Sequence, residues 1–403
     1  MRGDIARRWK ELSGEHKWKG LLDPLDNDLR RYIVHYGEMA EVTYDAFNSD
    51  RRSKYAGDSY FSKTELFART GFLKGNPYRY KVTKFFYATS SVKLPGSFIV
   101  KSLSREAWSK ESNWMGYIAV ATDEGKEKLG RRDIVVAWRG TIQPYEWAND
   151  FDFPLDPASE LFPGAETGHK PQIASGWLAL YTTDDPRSPF NKTSAREQVL
   201  GEVNRLLEQY KDEEVSITLT GHSLGATMST LCATDIAYNG HKKMKSLQHK
   251  PFYVTAFAFA SPRVGDKNFK MLVDSIENLN ILRITNVPDV VPRYPLLGYD
   301  DAGEVLTINT LKSKYLKQSL NLRNYHNIDI YLHGVAGTQG SLGGFKLEIE
   351  KDISSVNKRL DALDDEYLIP GSWWCVENKG MVQMDDGSWK LYTHRTPDDD
   401  ECN

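Results

Sequence analysis

The residues best suited to chemistry lie in a short segment around Ser223. Gly221 and Gly225 flank this serine in a G-x-S-x-G pattern, and a β-branched run, Val215 to Thr220, precedes it. The pattern is typical of a sharp turn from strand to helix, which presents a serine hydroxyl and has no room for side chains at the two glycines. We therefore expect Ser223 to be a nucleophile, with a helix from Ala226 to Tyr238 after the turn. Read alone, the pattern also fits a glycine-rich turn without chemistry.

A serine hydroxyl becomes a good nucleophile only with a base and an acid beside it. An imidazole removes the proton, and a carboxylate fixes the tautomer of the imidazole and stabilises its cation. In folds with a serine at such a turn, the carboxylate and then the histidine follow the serine along the chain, each on a loop after a strand. Asp289 fits this order, because Ile281 to Thr285 reads as a strand and Asn286 to Asp289 as the loop that leaves it. We predict that Asp289 is the acid.

Three histidines, His326, His333 and His394, follow Asp289 and are candidates for the base. His326 precedes a strand-like or helix-like run and would lie at the mouth of a loop. His333 lies deeper in the same run, and His394 is remote. The positions favour His326 and leave His333 as the alternative. His222 is expected to be structural, because the turn points successive side chains to different sides.

Ester hydrolysis also needs two backbone N–H donors for the oxyanion of the tetrahedral intermediate. Leu224, the residue after the nucleophile, is expected to provide one of them. Thr141 is expected to provide the other, because it ends the loop that follows a strand-like run, Ile134 to Ala137. These residues together predict transfer of an acyl group to water through an acyl-serine.

Strand-like and helix-like runs alternate through the middle of the chain. The strand candidates are 117–122, 133–138, 215–220, 253–260 and 280–286. Several of these runs are apolar throughout, which is typical of parallel strands that helices cover on both faces. The predicted fold class is therefore α/β, with a mostly parallel central sheet and helices on both faces.

We expect a single domain over residues 1–403, because the sequence contains neither an internal repeat nor a clear linker. Its expected additions to the sheet are an N-terminal helical segment, an irregular insertion rich in aromatic residues, and a C-terminal extension, at about 1–50, 142–170 and 345–403. The extension is predicted to contain a helix over about 348–363 and short strands around Trp373 and Trp389.

Composition limits the classes of function. The chain has 403 residues and a formal net charge of −3, so it lacks the basic excess that favours nucleic acid or an anionic membrane. No apolar run approaches the roughly 18 residues of a membrane span. The three cysteines form no paired framework, and the first residues carry charges where a secretory signal needs an apolar stretch. We therefore expect a soluble protein of the cytoplasm.

With these residues in place, the chain resembles the class 3 lipases. The marks of that family include Trp138-Arg139-Gly140-Thr141 and the segment Gly221 to Ala226. Over nearly its whole length, the chain is also similar to the plant class II phospholipase A1 family, in segments such as 81–84, 112–117, 259–266 and 331–337.

This resemblance implies an α/β-hydrolase fold and a catalytic triad of Ser223, Asp289 and His326. It also implies release of the sn-1 acyl chain from phospholipids, and some members of the family act on mono- or diacylglycerols or galactolipids in a cytosolic setting. The implied partners are a lipid substrate and, transiently, the surface of a membrane or lipid aggregate.

A lipid substrate gives a physical reason for the aromatic residues of the insertion. An acylhydrolase must shield its substrate trench in water and open it at a lipid surface, where newly exposed aromatic side chains are buried. We hypothesise that the stretch beginning near Gln143 is a lid and that Trp147, Phe151 and Phe153 contact lipid. Phe162, further along the insertion, also looks exposed.

Two other functions compete with this prediction. A neutral acylglycerol lipase or another carboxylester hydrolase on the same fold would carry the same motifs. A lipase-like regulatory protein without activity would be expected to lack the serine, the acid or the histidine, and candidates for all three are present. We expect no cofactor and no metal, because the acidic cluster Asp300, Asp301 and Glu304 lacks the ligand spacing of a calcium loop.

Overall fold

The computed structural model describes residues 4–105, 112–141, 154–165, 170–247, 252–318, 321–374 and 381–391. Its strands, in chain order, are β1 (Tyr80–Ala88), β2 (Asn113–Ala121), β3 (Arg132–Trp138), β4 (Leu155–Pro157), β5 (Gln172–Ala174), β6 (Val215–His222), β7 (Tyr253–Phe259), β8 (Leu279–Asn286), β9 (Glu304–Ile308), β10 (Met381–Gln383) and β11 (Trp389–Leu391).

Seven of these strands form the central sheet, in the order β1-β2-β3-β6-β7-β8-β9. The strands from β3 through β6, β7 and β8 to β9 pair in parallel, whereas β1, β2 and β3 pair antiparallel. All five predicted strands are present, and the mostly parallel sheet confirms the α/β-hydrolase class. The two edge strands, β1 and β9, were not predicted.

Helices cover both faces of the sheet, as expected. They are α1 (Ile5–Leu12), α2 (Asn27–Asp45), α3 (Leu66–Arg69), α4 (Asp123–Leu129), α5 (Ser175–Thr182), α6 (Ala195–Gln209), α7 (Leu224–Leu247), α8 (Lys267–Ser275) and α9 (Ile328–Gly337). Apolar side chains of α5, α6, α7 and α8 form one core with the sheet, and those of α2 and α9 form a second core.

Strand β3 shows how the sheet serves two cores. Ile134, Val136 and Trp138 belong to the core on one face, while Val135 and Ala137 belong to the core on the other. Successive side chains of a strand point to opposite faces, so a strand buried on both sides is apolar throughout. This explains why the continuous apolar runs marked the central strands correctly.

Local signals define the ends of the helices that surround the site. Asp26 caps α2, because its side chain accepts hydrogen bonds from the amides of Asp28 and Leu29. Ser194 and Glu197 form a reciprocal capping box at the start of α6. Helix α7 continues to Leu247, past the predicted end at Tyr238, since a single glycine in a helix costs only about 1 kcal/mol.

The C-terminal extension differs from the prediction. The helix expected over 348–363 is absent, and that stretch contains only a 3₁₀ turn at Ile353–Asn357. The side chains of Asp352 and Ser355 bond to neighbouring backbone groups, which competes with helix formation. Trp373 is buried outside any strand, whereas Trp389 begins β11, which pairs with β10.

The insertion after β3 is described only in part. Trp147, Phe151 and Phe153 lie outside the described residues. Phe162 is buried rather than exposed, and its ring packs against Tyr238 at 5.5 Å between ring centroids. Because β4 also pairs with β5, the described part of the insertion packs onto the domain.

Among the helices that the structure describes, none has the length and apolar character needed to cross a membrane.

Candidate active site

Ser223 lies in a strained turn between β6 and α7. Its backbone φ is +57°, in the left-handed region that residues other than glycine rarely adopt. A Cβ atom on Gly221 would lie 2.3 Å from the carbonyl carbon of Gly225, and one on Gly225 would lie 2.2 Å from the carbonyl oxygen of Trp138. The amide of Ser223 donates to the carbonyl oxygen of Phe259 in β7 at 2.9 Å, which anchors the turn to the sheet.

The structure brings Ser223, His326 and Asp289 together in one hydrogen-bonded chain. His326 Nε2 lies 2.9 Å from Ser223 Oγ, and His326 Nδ1 lies 2.7 Å from Asp289 Oδ2. These contacts join residues 103 and 37 positions apart in the sequence. All three residues are buried. In this geometry the imidazole is within reach of the serine proton, and the carboxylate holds the opposite ring nitrogen.

Asp289 is held by more partners than the histidine alone. Tyr331 donates its hydroxyl to Asp289 Oδ2 at 2.6 Å, and the amide of Val291 donates to Oδ1 at 3.0 Å. Burial alone would raise the pKa of Asp289, but the attraction of His326 and these hydrogen bonds lower it below its usual value. The carboxylate is therefore charged and fixed in orientation. Tyr331 was not identified as a functional residue from the sequence.

The expected oxyanion residues lie on the two segments that meet at the turn. Leu224 is the first residue of α7, and the first amides of a helix have no acceptor within it. Thr141 is buried at the end of the loop after β3. That loop passes the turn closely, because a Cβ atom on Gly140 would lie 2.5 Å from the carbonyl oxygen of His222.

Arg139 fixes the shape of this loop. The guanidinium is buried and donates to the carbonyl oxygens of Gly140, Trp114 and Phe98, at 2.7, 3.0 and 3.1 Å. It also lies 3.9 Å from the centroid of the Phe47 ring. Arg139 was part of the motif that carries the family resemblance, but its role in holding the loop emerges only from the structure.

The other histidines have different surroundings. His222 Nδ1 lies 2.7 Å from the hydroxyl of Tyr44, and its ring centroid is 4.7 Å from that of His326. His333, the alternative base, bonds to Ser313 Oγ through Nε2 at 2.8 Å and stacks on Phe345. Its environment is a packed interior, where burial lowers its pKa to about 3. His394 lies outside the described residues.

One member of the acidic cluster Asp300, Asp301 and Glu304 is paired with arginines. Asp301 accepts from Arg263 at 3.1 Å and also pairs with Arg283. Throughout the described ranges, no group of three or more His, Cys, Asp or Glu side chains is arranged to hold a metal ion.

Residues 135–299 match the family model described as lipase (class 3). The chain is 68% identical to phospholipase A1-IIβ of Arabidopsis thaliana, in an alignment that covers 98% of this chain and 96% of the relative. It is 55% identical to phospholipase A1-II 1 of Oryza sativa subsp. indica, with 98% of each chain covered. The chain belongs to the plant class II phospholipase A1 family of class 3 lipases.

This member of the class II phospholipase A1 family is also similar to solved structures of lipases, at lower identity. A lipase from Rhizopus microsporus var. chinensis is 20% identical, with a TM-score of 0.44, and the match covers 71% of this chain and 76% of that one.

Proposed function

We propose that the protein is a serine acylhydrolase that releases the sn-1 fatty acyl chain of phospholipids. The observation that carries this proposal is the unbroken hydrogen-bonded chain from Ser223 through His326 to Asp289. The substrate class is supported by high identity, over nearly the whole chain, to proteins named phospholipase A1.

In the proposed acylation step, Ser223 Oγ attacks the carbonyl carbon of the sn-1 ester. His326 Nε2 takes the serine proton, and the negative charge of Asp289 stabilises the imidazolium that forms. The amides of Thr141 and Leu224 hold the oxyanion, and losing one such donor costs on the order of 100- to 1,000-fold in rate. The intermediate collapses when His326 gives its proton to the departing lysophospholipid alkoxide.

The acyl-serine is then hydrolysed by the same groups. Water enters where the alcohol left, and His326 removes its proton as the water oxygen attacks the acyl carbonyl carbon. Collapse of this second intermediate breaks the bond to Ser223 Oγ, which recovers its proton from His326. The products are a free fatty acid and the regenerated enzyme.

Access of a lipid to this site requires movement, because the hydroxyl of Ser223 is fully buried. We propose that the stretch beginning near Gln143 is a lid that opens at the surface of a membrane or lipid aggregate and exposes Trp147, Phe151 and Phe153. Residues 154–165 pack against other parts of the domain, so the proposed lid comprises only residues that precede them. Burial of exposed aromatic side chains in lipid would stabilise the open form.

The test uses phosphatidylcholine that carries different acyl chains at sn-1 and sn-2. The pure protein is expected to release the sn-1 acid, and its Ser223→Ala form is expected to lose turnover by roughly a million-fold. Release of the sn-2 acid would contradict the regiochemistry. Equal turnover by the alanine form would contradict the mechanism. The acylglycerol lipase and the non-catalytic regulatory protein are not favoured by any feature of the site or by the names of the relatives.

A further inference from the structure

A buried ionic cluster lies behind His326, and the reaction described above makes no use of it. Its acids are Glu41 and Asp45 of α2 and Asp329 of α9, and its bases are Lys358 and Arg359 of the C-terminal segment, residues 345–374. Lys358 donates to Glu41 Oε1 at 2.6 Å and to Asp45 Oδ2 at 2.5 Å. Arg359 donates to Asp329 Oδ2 at 2.9 Å and also pairs with Asp45.

One connection from this cluster to the site runs along the chain. Asp329 is in the first turn of α9, which begins two residues after His326, and the side chain of Asn327 caps that turn. The backbone before it is also tied down, because Asn286 Nδ2 donates to the carbonyl oxygen of Tyr325 at 3.3 Å. By binding Asp329, Arg359 fixes the start of α9, the helix that begins two residues after His326.

A second connection runs through side chains. The guanidinium carbon of Arg359 lies 5.6 Å from the centroid of the Tyr44 ring. The Tyr44 hydroxyl holds His222, whose ring lies against the ring of His326. The imidazole of His326 is therefore supported by a series of side-chain contacts that begins at Arg359 and runs through Tyr44 and His222.

Each of the two cations of the cluster contacts two of its acids. Burial and the neighbouring Glu41 raise the pKa of Asp329 well above its usual value, and the cations Arg359 and Lys358 oppose this rise. Asp45 contacts both cations, Lys358 and Arg359, and so joins the two halves of the cluster. Burying so many charges is weak evidence for stability, and their best attested use is to specify one arrangement.

We propose that Arg359 is a positioning residue for His326. Through Asp329 and through Tyr44 and His222, it holds the imidazole at hydrogen-bond distance from both Ser223 and Asp289. The C-terminal segment is thereby part of the machinery of the active site, although none of its residues touches the reacting atoms. This inference rests on the proposed function, since it assigns His326 the role of the base. A displacement of about 1 Å at such a group can reduce the rate by roughly 100-fold.

The experiment compares Arg359→Met and Arg359→Lys with the wild type on a soluble short-chain ester. The active fraction of each preparation is titrated with a fluorophosphonate, so that kcat refers to competent sites only. We expect Arg359→Met to lower kcat on the order of 10- to 100-fold with KM unchanged. Arg359→Lys keeps a cation but loses the fork that reaches two carboxylates, and should recover part of the loss.

Lys317→Met is the matched control. Lys317 anchors the same C-terminal segment through Asp361 and Asp365, at 2.9 and 2.8 Å, but those carboxylates are exposed and lie outside the cluster. We expect wild-type kcat per titrated site. An equal loss of kcat in this control would overturn the proposal, and so would a loss in Arg359→Met that disappears after titration.

Tyr44→Phe covers the case in which Arg359→Met does not fold. The variant keeps the ring and removes only the hydroxyl that holds His222, so kcat should fall while KM is unchanged. Wild-type kcat per site in Tyr44→Phe would contradict positioning through His222. If the wild type had no esterase activity, the proposed function itself would be refuted. The experiment therefore distinguishes failure of the proposed function from failure of the positioning role.

Discussion

The carboxylate of Asp289 is buried, so its charge is stabilised by the hydrogen-bond donors around it rather than by water. Tyr331 gives the shortest of these hydrogen bonds, at 2.6 Å to Oδ2, the oxygen that also faces His326. The same hydroxyl accepts from the amide of Asn286 at 3.2 Å. Tyr331 therefore fixes the acid relative to the end of β8, and its loss leaves two buried groups with fewer partners.

Tyr331→Phe is expected to lower the free energy of unfolding by about 1.5–3 kcal/mol, the usual contribution of a hydrogen bond to a charged group. Because the pKa of folded Asp289 is below the unfolded value of 3.8, this stabilisation is present above pH 3.8 and is lost as the pH falls through the folded pKa. Urea unfolding of the variant and the wild type, from neutral pH downward, measures the difference.

Tyr117→Phe provides the comparison for this variant. Tyr117 donates to the neutral carbonyl oxygen of Met39 at 2.8 Å, so its loss should cost about 1 kcal/mol at every pH. If the loss in Tyr331→Phe is equally independent of pH, the link to the charge of Asp289 is wrong.

The sequence identifies residues with a local signature better than residues that serve them at a distance. Ser223 has its glycines, and Asp289 has its strand and chain order, so both are found from neighbouring residues. Position favoured His326 over His333 without excluding the latter, and the family resemblance strengthened that preference. Tyr331 lies in a segment that carries the family resemblance, but no local pattern gives Tyr331 or Arg359 a role. Their partners lie 42 and 30 residues away and become neighbours only after folding.

At the scale of the elements, the turn after β6 tolerates no side chain at its glycines. We predict that Gly225→Ala lowers the free energy of unfolding by about 3 kcal/mol, because its Cβ atom would overlap the carbonyl oxygen of Trp138. Gly201→Ala in α6 is the control, since its Cβ atom would meet nothing within 4 Å. There the unfolding free energy should rise by about 0.5–1 kcal/mol. Similar changes in the unfolding free energy of both variants would show that the close approach at Gly225 does not exclude a side chain there.

The insertion before residue 154 gives a second prediction for an element. Serine at both Trp147 and Phe151 removes apolar area that a lid would bury in lipid, so activity on aggregated phospholipid should fall more than activity on a soluble short-chain ester. The ratio of the two activities, measured on the same preparation, removes the effect of protein quality. The double variant Tyr55→Ser and Tyr60→Ser, at exposed aromatic residues outside the insertion, should leave that ratio unchanged. Equal losses on both substrates would eliminate the lid.

Elements were predictable where burial is continuous and were missed where it is partial. The central strands are apolar on both faces, whereas β1 and β9 are edge strands with exposed positions, and their pattern is weaker. The wrongly predicted helix over 348–363 has apolar residues at plausible spacing. Its backbone instead forms a loop, which Asn357 closes because its side chain accepts hydrogen bonds from the amides of Ala362 and Leu363. Such side-chain bonds to the backbone are not visible in the spacing of apolar residues.

On the scale of the whole molecule, the core formed with α2 and α9 encloses three histidines. His35 lies in α2, His222 ends β6 and His333 lies in α9, and all are buried. Burial lowers the pKa of His35 and of His333 to about 3. Burial and the adjacent His326 lower the pKa of His222 well below its usual value of 6.5. The folded protein therefore keeps three neutral histidines at a pH where the unfolded chain protonates them.

Linkage turns these shifts into a prediction about acid stability. Below pH 6.5 the unfolded state binds protons that the folded state does not, so stability falls with pH until the folded pKa values near 3 are reached. At one pH unit below 6.5, each buried histidine lowers the free energy of unfolding by about 1.4 kcal/mol, and the three together lower it by about 4 kcal/mol. Denaturant unfolding between about pH 7.5 and pH 5.5 measures this fall.

His333→Gln should reduce this fall in stability by about one third, whereas His16→Gln, at a side chain that is 76% exposed, should not change it. A stability that stays constant over this range, or an unchanged fall in His333→Gln, would show that the buried histidines do not govern acid unfolding.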